Sequence, residues 1–400
     1  MSNLKLDSNP IPMQKPFLTG KEMEYVAAAI ANSRLSGDGP FTVKCHRLIE
    51  EKFKTPKAFL TTSCTTALEM AALLSDVGPG DEVIMPSYTF VSTANAFCLR
   101  GAKPVFVEVR PDTLCIDIEA VSRAITPKTK VIVPVHYGGM ACDMDALMAL
   151  ANKHNILVVE DAAQGINATY KGKYLGTLGH LGTFSFHETK NISCGEGGAL
   201  LVNDEKYIQR AEILREKGTN RSRFLRGQAD KYTWHDIGSS FFPSDMLAAF
   251  LLAQLENVDL IHSKRKKLYE NYLELLAPLE LMGAFEIPKA QLDVESNHHL
   301  FYFLLPSEDI RNNLMEYLRA RGIGAAFHFL PLHLAPMGEK YGYKAGDFPV
   351  TESIAARLLR LPFYTGLEEN EQARIVHEIN QFVSQNQSLY QKKSVTVERG

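Results

Sequence analysis

Apolar side chains recur at helical spacing over residues 20–33 (Met23, Val26, Ala27, Ile30), which predicts an amphipathic helix. A Gly37-Asp38-Gly39-Pro40 turn closes that section, and a second helix is expected to about Phe53. From there the pattern alternates. Short β-rich runs fall at 58–61, 82–85, 104–108, 131–135, 157–159, 182–186 and 199–202, with helical stretches at 65–74, 118–124 and 144–153 between several of them. The runs at 131–135 and 157–159 are almost wholly apolar, as strands buried on both faces are. Such alternation predicts an α/β fold with a mostly parallel, seven-stranded sheet covered by helices.

After about Asp204 the strand signal fades. Helices are expected at 205–217, 244–256 and 258–277. Short strands at 299–305 and 324–329 then mix with helices at 309–320, 351–359 and 369–383. This predicts a large domain over 1–257, a smaller C-terminal α/β domain over 258–383 and a polar tail over 384–400, with residues 1–17 packing on the small domain. A chain of 400 residues exceeds what one core usually holds, which supports two domains.

Composition narrows the function classes. The chain is 45% hydrophobic and 22% charged, with a formal net charge of −3, so no global attraction to nucleic acid or anionic lipid is expected. Its six cysteines are scattered without a C-x-x-C pair, which disfavours a disulfide scaffold or zinc site. The polar start, broken by Pro10 and Pro12, lacks the apolar core of a signal peptide, and the most apolar stretch falls short of the ~20 residues that span a bilayer. A cytoplasmic protein is the expectation.

Three loops follow strands and carry unusual chemistry, at the strand ends where doubly wound sheets bind ligands. Thr61 to Thr66 is rich in hydroxyls at a helix start, which suits a phosphate or an ordinary N-cap. Asp161 ends an apolar strand, where a carboxylate needs a cation, donors or a helix start. Lys190 lies between a strand and the Gly195-Glu196-Gly197-Gly198 turn, and a desolvated amine there would be nucleophilic. His136, after an apolar strand, reads as a satisfied buried histidine. His328 and His333 lack further ligands at helical spacing, so no metal site is expected.

Four ordered motifs resemble the DegT/DnrJ/EryC1/StrS family of sugar aminotransferases. They are Ser63 to Leu68 (S-C-T-T-A-L), Pro86 to Thr93 (P-S-Y-T-F-V-S-T, an aromatic-strand motif), Glu160 to Gln164 (E-D-A-A-Q) and Ser185 to Asn191 (S-F-H-E-T-K-N). The likeness covers nearly the whole chain. It implies a fold-type I transferase that uses pyridoxal 5′-phosphate (PLP). Lys190 would form the Schiff base and move the proton. Asp161 would pair with the pyridine nitrogen, Gln164 would lie near the phenolic oxygen and Phe90 would stack on the ring. Thr65, Thr66 and Ser185 would hold the phosphate. Ser240 stands where many relatives carry an asparagine that reaches the phosphate from the neighbouring subunit of a homodimer, and its reach is shorter.

The same resemblance implies L-glutamate as amino donor and a nucleotide-linked keto-sugar as acceptor. The stretch from Arg215 through Arg221, Lys231 and Tyr232 to Ser240 concentrates cations that would meet a diphosphate or form a solvated loop. This stretch, and the Gly37-Asp38 turn, are very like enzymes that aminate dTDP-4-keto-6-deoxy-D-glucose at C4. Their product, dTDP-4-amino-4,6-dideoxy-D-galactose, is a precursor for enterobacterial common antigen. His328 would lie near the site. Amination at C3, the C4 epimer and a non-catalytic PLP-binding regulator are the alternatives. Lys190 argues against the related dehydratases, which carry histidine there. No G-x-G-x-x-G follows the first strand, against a nicotinamide enzyme.

Overall fold

The computed structural model describes residues 9–289 and 291–386. Twelve strands occur among them: β1 Lys57–Thr61, β2 Glu82–Pro86, β3 Lys103–Val107, β4 Thr129–Ile132, β5 Leu157–Asp161, β6 Thr169–Tyr170, β7 Lys173–Tyr174, β8 Leu181–Ser185, β9 Gly198–Val202, β10 Val294–Glu295, β11 Tyr302–Leu304 and β12 Leu358–Arg360. Seven form the central sheet in the order β1-β9-β8-β5-β4-β2-β3. Every neighbouring pair is parallel except the two that involve β9. The sheet is therefore the mostly parallel one expected.

The inner stretches of its strands are largely apolar because both faces are covered. In β2, Val83 and Met85 point into one buried cluster and Ile84 into another, as the two-residue period of a strand requires. Helices Cys64–Leu74, Val91–Cys98 and Ile208–Arg215 cover the first face. Helices Pro40–Phe53, Met144–His154 and Asp245–Leu255 cover the second. A separate cluster forms where helices Glu308–Arg319 and Glu369–Gln385 pack with the β11–β12 pair. The helix Val258–Leu281 feeds both regions, with Val258 and Ile261 in one core and Leu268 to Leu279 in the other. Near the N-terminus, Ile11 joins that last cluster and bridges Ile323. Residues 1–8 and 387–400, which carry parts of the expected N-terminal segment and tail, lie outside the described residues.

Several local expectations are corrected. The run expected to reach 135 ends as a strand at Ile132, because Pro134 has no N–H to donate; pairing resumes only as a bridge between Val135 and Asp161. Residues 324–329 are not a strand. Their ladder is split between partners, with Gly324 donating to Ile11 and Ala326 bridging Arg360. The helix expected through 359 stops at Arg357, and Leu358, Leu359 and Arg360 turn into β12 ahead of Pro362. The aromatic motif is a strand only at Pro86; a loop follows, and a helix starts at Val91. The two-residue strands β6, β7 and β10, which form a small second sheet, were too short for periodicity to reveal.

Candidate active site

Strands β1, β2, β5 and β8 all end at one edge of the sheet, and their loops line a cavity of about 390 Å³. The reversed strand β9 begins at the same edge. A Cβ at Gly198 would run into the Cys64 amide and the Ser63 carbonyl, so glycine lets the strand lie against the start of a helix. That helix, Cys64–Leu74, opens with a capping box: Ser63 Oγ accepts from the Thr66 amide at 3.1 Å, and Thr66 Oγ1 accepts from the Ser63 amide at 3.0 Å. The Cys64 and Thr65 amides make no hydrogen bond among the described residues. Two open N–H groups at a helix start, beside the hydroxyls of Thr65 and Ser185, form a ready anion cradle.

At the end of β5, Asp161 is buried. Its Oδ2 accepts from Thr93 Oγ1 at 2.7 Å and its Oδ1 from the Ala163 amide at 3.1 Å. These neutral donors hold the carboxylate in place, and among the described residues no basic side chain lies within salt-bridge distance to compensate its charge. Phe90, at the start of the helix Val91–Cys98, presents its ring to the cavity and is 57% exposed. Gln164 is fixed by accepting from the Gly138 amide at 2.6 Å. Lys190 lines the same cavity. Burial lowers the pKa of its ammonium, and the nearby Cys64 and Asp161 partly oppose this. A lowered pKa raises the fraction of free amine, the nucleophilic form.

This donor set fits one group. A lone carboxylate matches a pyridinium, an exposed ring matches an aromatic face, a free amine matches an aldehyde, and paired N–H groups with hydroxyls match a phosphate. When bound, PLP supplies an electron sink for charge developing at a substrate carbon. The topology and this constellation define the class: a fold-type I, PLP-dependent transferase.

Within that class, the chain belongs to the DegT/DnrJ/EryC1/StrS aminotransferase family, whose sequence profile it matches over residues 16–380. The family's cofactor is pyridoxal phosphate. The chain is 33% identical over 376 residues to a GDP-perosamine synthase of Caulobacter vibrioides, covering 93% of this chain and 98% of that protein. It is 37% identical over 319 residues to a pleiotropic regulatory protein of Geobacillus stearothermophilus, covering 79% and 82%. The PMP-form of the putative sugar aminotransferase Spr1654 from Streptococcus pneumoniae superposes with a TM-score of 0.88 at 27% identity, covering 96% of this chain and all of that one. The relative named here for its sugar product carries GDP, not the dTDP that the sequence resemblance implied.

The cavity gathers Lys190, Asp161, Gln164, Phe90, Ser185, Thr65 and His328. Other expected site residues lie elsewhere. Thr66 spends its hydroxyl on the cap and does not line the cavity. Asp38 pairs with the buried Arg215 at 2.5 Å, and Gly37 packs against Phe242. Arg221 pairs with the buried Glu216 at 2.6 Å, so that cation is already engaged. Lys231, Tyr232 and Ser240 are exposed and do not line the cavity of their own chain.

His136 is a satisfied core residue, bonded to Glu160 at 2.8 Å and accepting from the Cys142 amide at 3.3 Å. His333 bonds Ser87 and Glu352, and among the described residues no cluster of three metal-ligating side chains exists. No described helix is long and apolar enough to cross a membrane.

Two residues missed from sequence, His299 and Arg360, also reach the cavity, beside the expected His328. His299 is held by Asn191 at 2.9 Å, and burial holds its pKa well below the usual histidine range. His328 accepts from or donates to Tyr137 at 2.5 Å and stacks on Phe329 with ring centres 3.8 Å apart. Burial depresses its pKa too. Arg360 is the other missed residue. Its only sequence signal was a charge inside the apolar run Leu358-Leu359-Arg360-Leu361.

Proposed function

We propose that this protein moves an amino group from L-glutamate to a keto-sugar carried on a nucleotide, with Lys190 as the residue that binds the cofactor and shuttles the proton. The observation that carries the reading is the cavity itself, where a desolvated lysine and an uncompensated carboxylate face a ring and an anion cradle. In this reading Asp161 keeps the pyridine nitrogen protonated, Phe90 stacks on the ring, Gln164 orients its oxygen, and Thr65, Ser185 and the helix start hold the phosphate. The freed Lys190 amine takes a proton from the donor α-carbon and returns it on the other side of the transfer.

For the acceptor we propose dTDP-4-keto-6-deoxy-D-glucose, giving dTDP-4-amino-4,6-dideoxy-D-galactose, on the strength of the sequence likeness over 215–240. The GDP-linked 4-keto sugar is the second reading, favoured by the C. vibrioides relative. Holoenzyme given glutamate and each keto-sugar in turn decides between them. Product NMR with an axial C4 amine on dTDP supports the first reading; an equatorial amine, amination at C3 or exclusive use of GDP overturns it. Loss of the Schiff-base absorbance band and of turnover is expected for Lys190→Ala, and full activity there refutes the role of the lysine.

We further propose a cytoplasmic homodimer in which Ser240, Arg221, Lys231 and Tyr232 face the partner's cavity, and domains over 1–257 and 258–383. Supporting the dimer, the same segment exposes Leu225 (65%), Trp234 (81%) and Ile237 (57%), apolar side chains that a partner surface would cover. Sedimentation at micromolar concentration tests it, and a monomer at the mass of one chain sinks it.

A further inference from the structure

Asn191 directly follows Lys190, and both ends of its buried amide are engaged by a distant segment. Its Nδ2 donates to the Asn297 carbonyl at 3.0 Å, and its Oδ1 lies 2.9 Å from His299 Nδ1. A carbonyl only accepts, so the NH2 group must face Asn297 and the amide oxygen must face His299. That oxygen also only accepts, which places a proton on His299 Nδ1. Burial, with the charges of Lys190 and Arg265, disfavours a second proton, so the ring is neutral.

The segment that carries His299 is itself held from two sides. Asn297 Nδ2 donates to the carbonyls of Gln164 and Ile166, both at 2.8 Å. Arg265, buried in the helix Val258–Leu281, donates to the carbonyls of His298 and His299 at 2.9 and 2.5 Å. Between these anchors His298 has φ +49°, a sparsely populated conformation for a residue with a side chain. Residues 297–299 therefore tie the helix that feeds both cores to the two loops that carry Gln164 and Lys190.

We infer that His299 is a positioning residue for the transfer, holding the Lys190 loop through Asn191 so that the freed amine meets the carbon whose proton it moves. A lysine amine rides on a long, flexible side chain, so its aim depends on where its backbone is fixed. A misplacement of about 1 Å costs on the order of 100-fold in rate. The neutral ring serves this role without adding a charge beside the amine. Its fixed tautomer gives the contact one direction, from Nδ1–H to the Asn191 oxygen.

This inference rests on Lys190 moving the proton, and the test separates the two. His299→Leu, His299→Asn, Asn191→Leu and the double variant His299→Leu/Asn191→Leu are compared with wild type. In cofactor-free protein, amide hydrogen exchange over 187–195, read by mass spectrometry, measures the hold on the loop. In the holoenzyme, single turnovers with glutamate and α-deuterated glutamate measure the proton transfer. His299→Leu is expected to speed exchange over 187–195 about tenfold or more. It should slow the glutamate half-reaction roughly 30-fold, raise its isotope effect, and leave PLP affinity within about threefold. Asn191→Leu breaks the same contact from the other side and should match it, so the outcome does not depend on one variant folding. His299→Asn offers an N–H where Nδ1–H stood and should recover most of the loss. The double variant should be no slower than Asn191→Leu, because both changes remove one contact.

Unchanged exchange over 187–195, a His299→Asn protein as slow as His299→Leu, or a double variant that multiplies the two single losses overturns the inference. If Lys190→Ala still removes the glutamate α-proton, the lysine reading fails, while hydrogen exchange still reports whether His299 holds the loop.

Discussion

Glu160 opens the motif that also contains Asp161 and Gln164, but it does not face the cavity. It is fully buried, and its two oxygens accept four hydrogen bonds. Oε1 takes the Leu178 amide at 2.6 Å and the Gly179 amide at 2.5 Å; Oε2 takes the Gly176 amide and His136 Nε2, both at 2.8 Å. Gln at this position has one oxygen and one NH2 group. Whichever way the amide turns, its NH2 meets two donors. His136 cannot relieve this by changing tautomer, because its Nδ1 already accepts from Cys142. Two buried donors are left unmet, at ~1–3 kcal/mol each, so Glu160→Gln should cost roughly 2–6 kcal/mol. With an unfolding entropy of ~2.1 cal/mol/K per residue, that corresponds to a fall in Tm of roughly 2–7 °C for a chain of this length. Thermal scans of cofactor-free and PLP-loaded protein measure it. Glu119→Gln, on an exposed side chain with one 3.9 Å pair to Arg123, is the control and should move by less than about 0.5 kcal/mol. A Glu160→Gln protein indistinguishable from the control would refute the donor accounting.

Three further outcomes follow from burial at the site. Burial lowers the Lys190 pKa, so the unfolded chain holds its proton to higher pH than the folded one, and stability rises with pH across that window. Lys190→Met should therefore stabilise the cofactor-free protein at pH 7, with the gain shrinking towards about pH 10.4; a variant less stable than wild type at pH 7 contradicts this. His299 and His328 have depressed pKa values, so the stability they permit is present above about pH 6.5 and is lost as pH falls, while the unfolded chain takes up protons first. His328→Gln should flatten the decline of Tm between about pH 6.5 and 5, and an unchanged slope counts against it. Gly198→Ala drives a Cβ into the helix start, and because the obstacles are backbone atoms the anion cradle must shift. PLP binding should weaken by about tenfold or more; wild-type affinity would show that the cradle does not depend on this contact.

Much of this was legible in the chain. All seven central strands lie within a few residues of their predicted places, because each is a short apolar run between polar loops, and both faces of the sheet are covered. Lys190, Asp161, Gln164 and Phe90 were legible because each sits inside a contiguous motif at a strand end. Of the small C-terminal strands, β11 falls inside the run expected at 299–305, but β10 and β12 were not legible. β12 reads as the end of a helix, since Leu358 and Leu359 suit either period and only Pro362 hints at the change. Thr66 and Ser63 illustrate a second limit. Both are hydroxyls at a helix start, and the capping geometry alone decides that Thr66 serves the fold while Thr65 faces the cavity.

The sequence by itself determined the local chemistry: an amine after one strand, a carboxylate at the end of another, hydroxyls at a helix start. Tertiary structure decided which groups share a site. Arg360, His328 and His299 are more than a hundred residues from Lys190 in the chain, and they reach it only because β11 and β12 pack beside the open edge of the central sheet. It also removed Arg221 and Asp38 from their own chain's cavity by giving each a salt-bridge partner. The physical reason is range. Periodicity and turn chemistry act over a few residues, whereas the field at a buried amine is summed over every charge that folding brings near it.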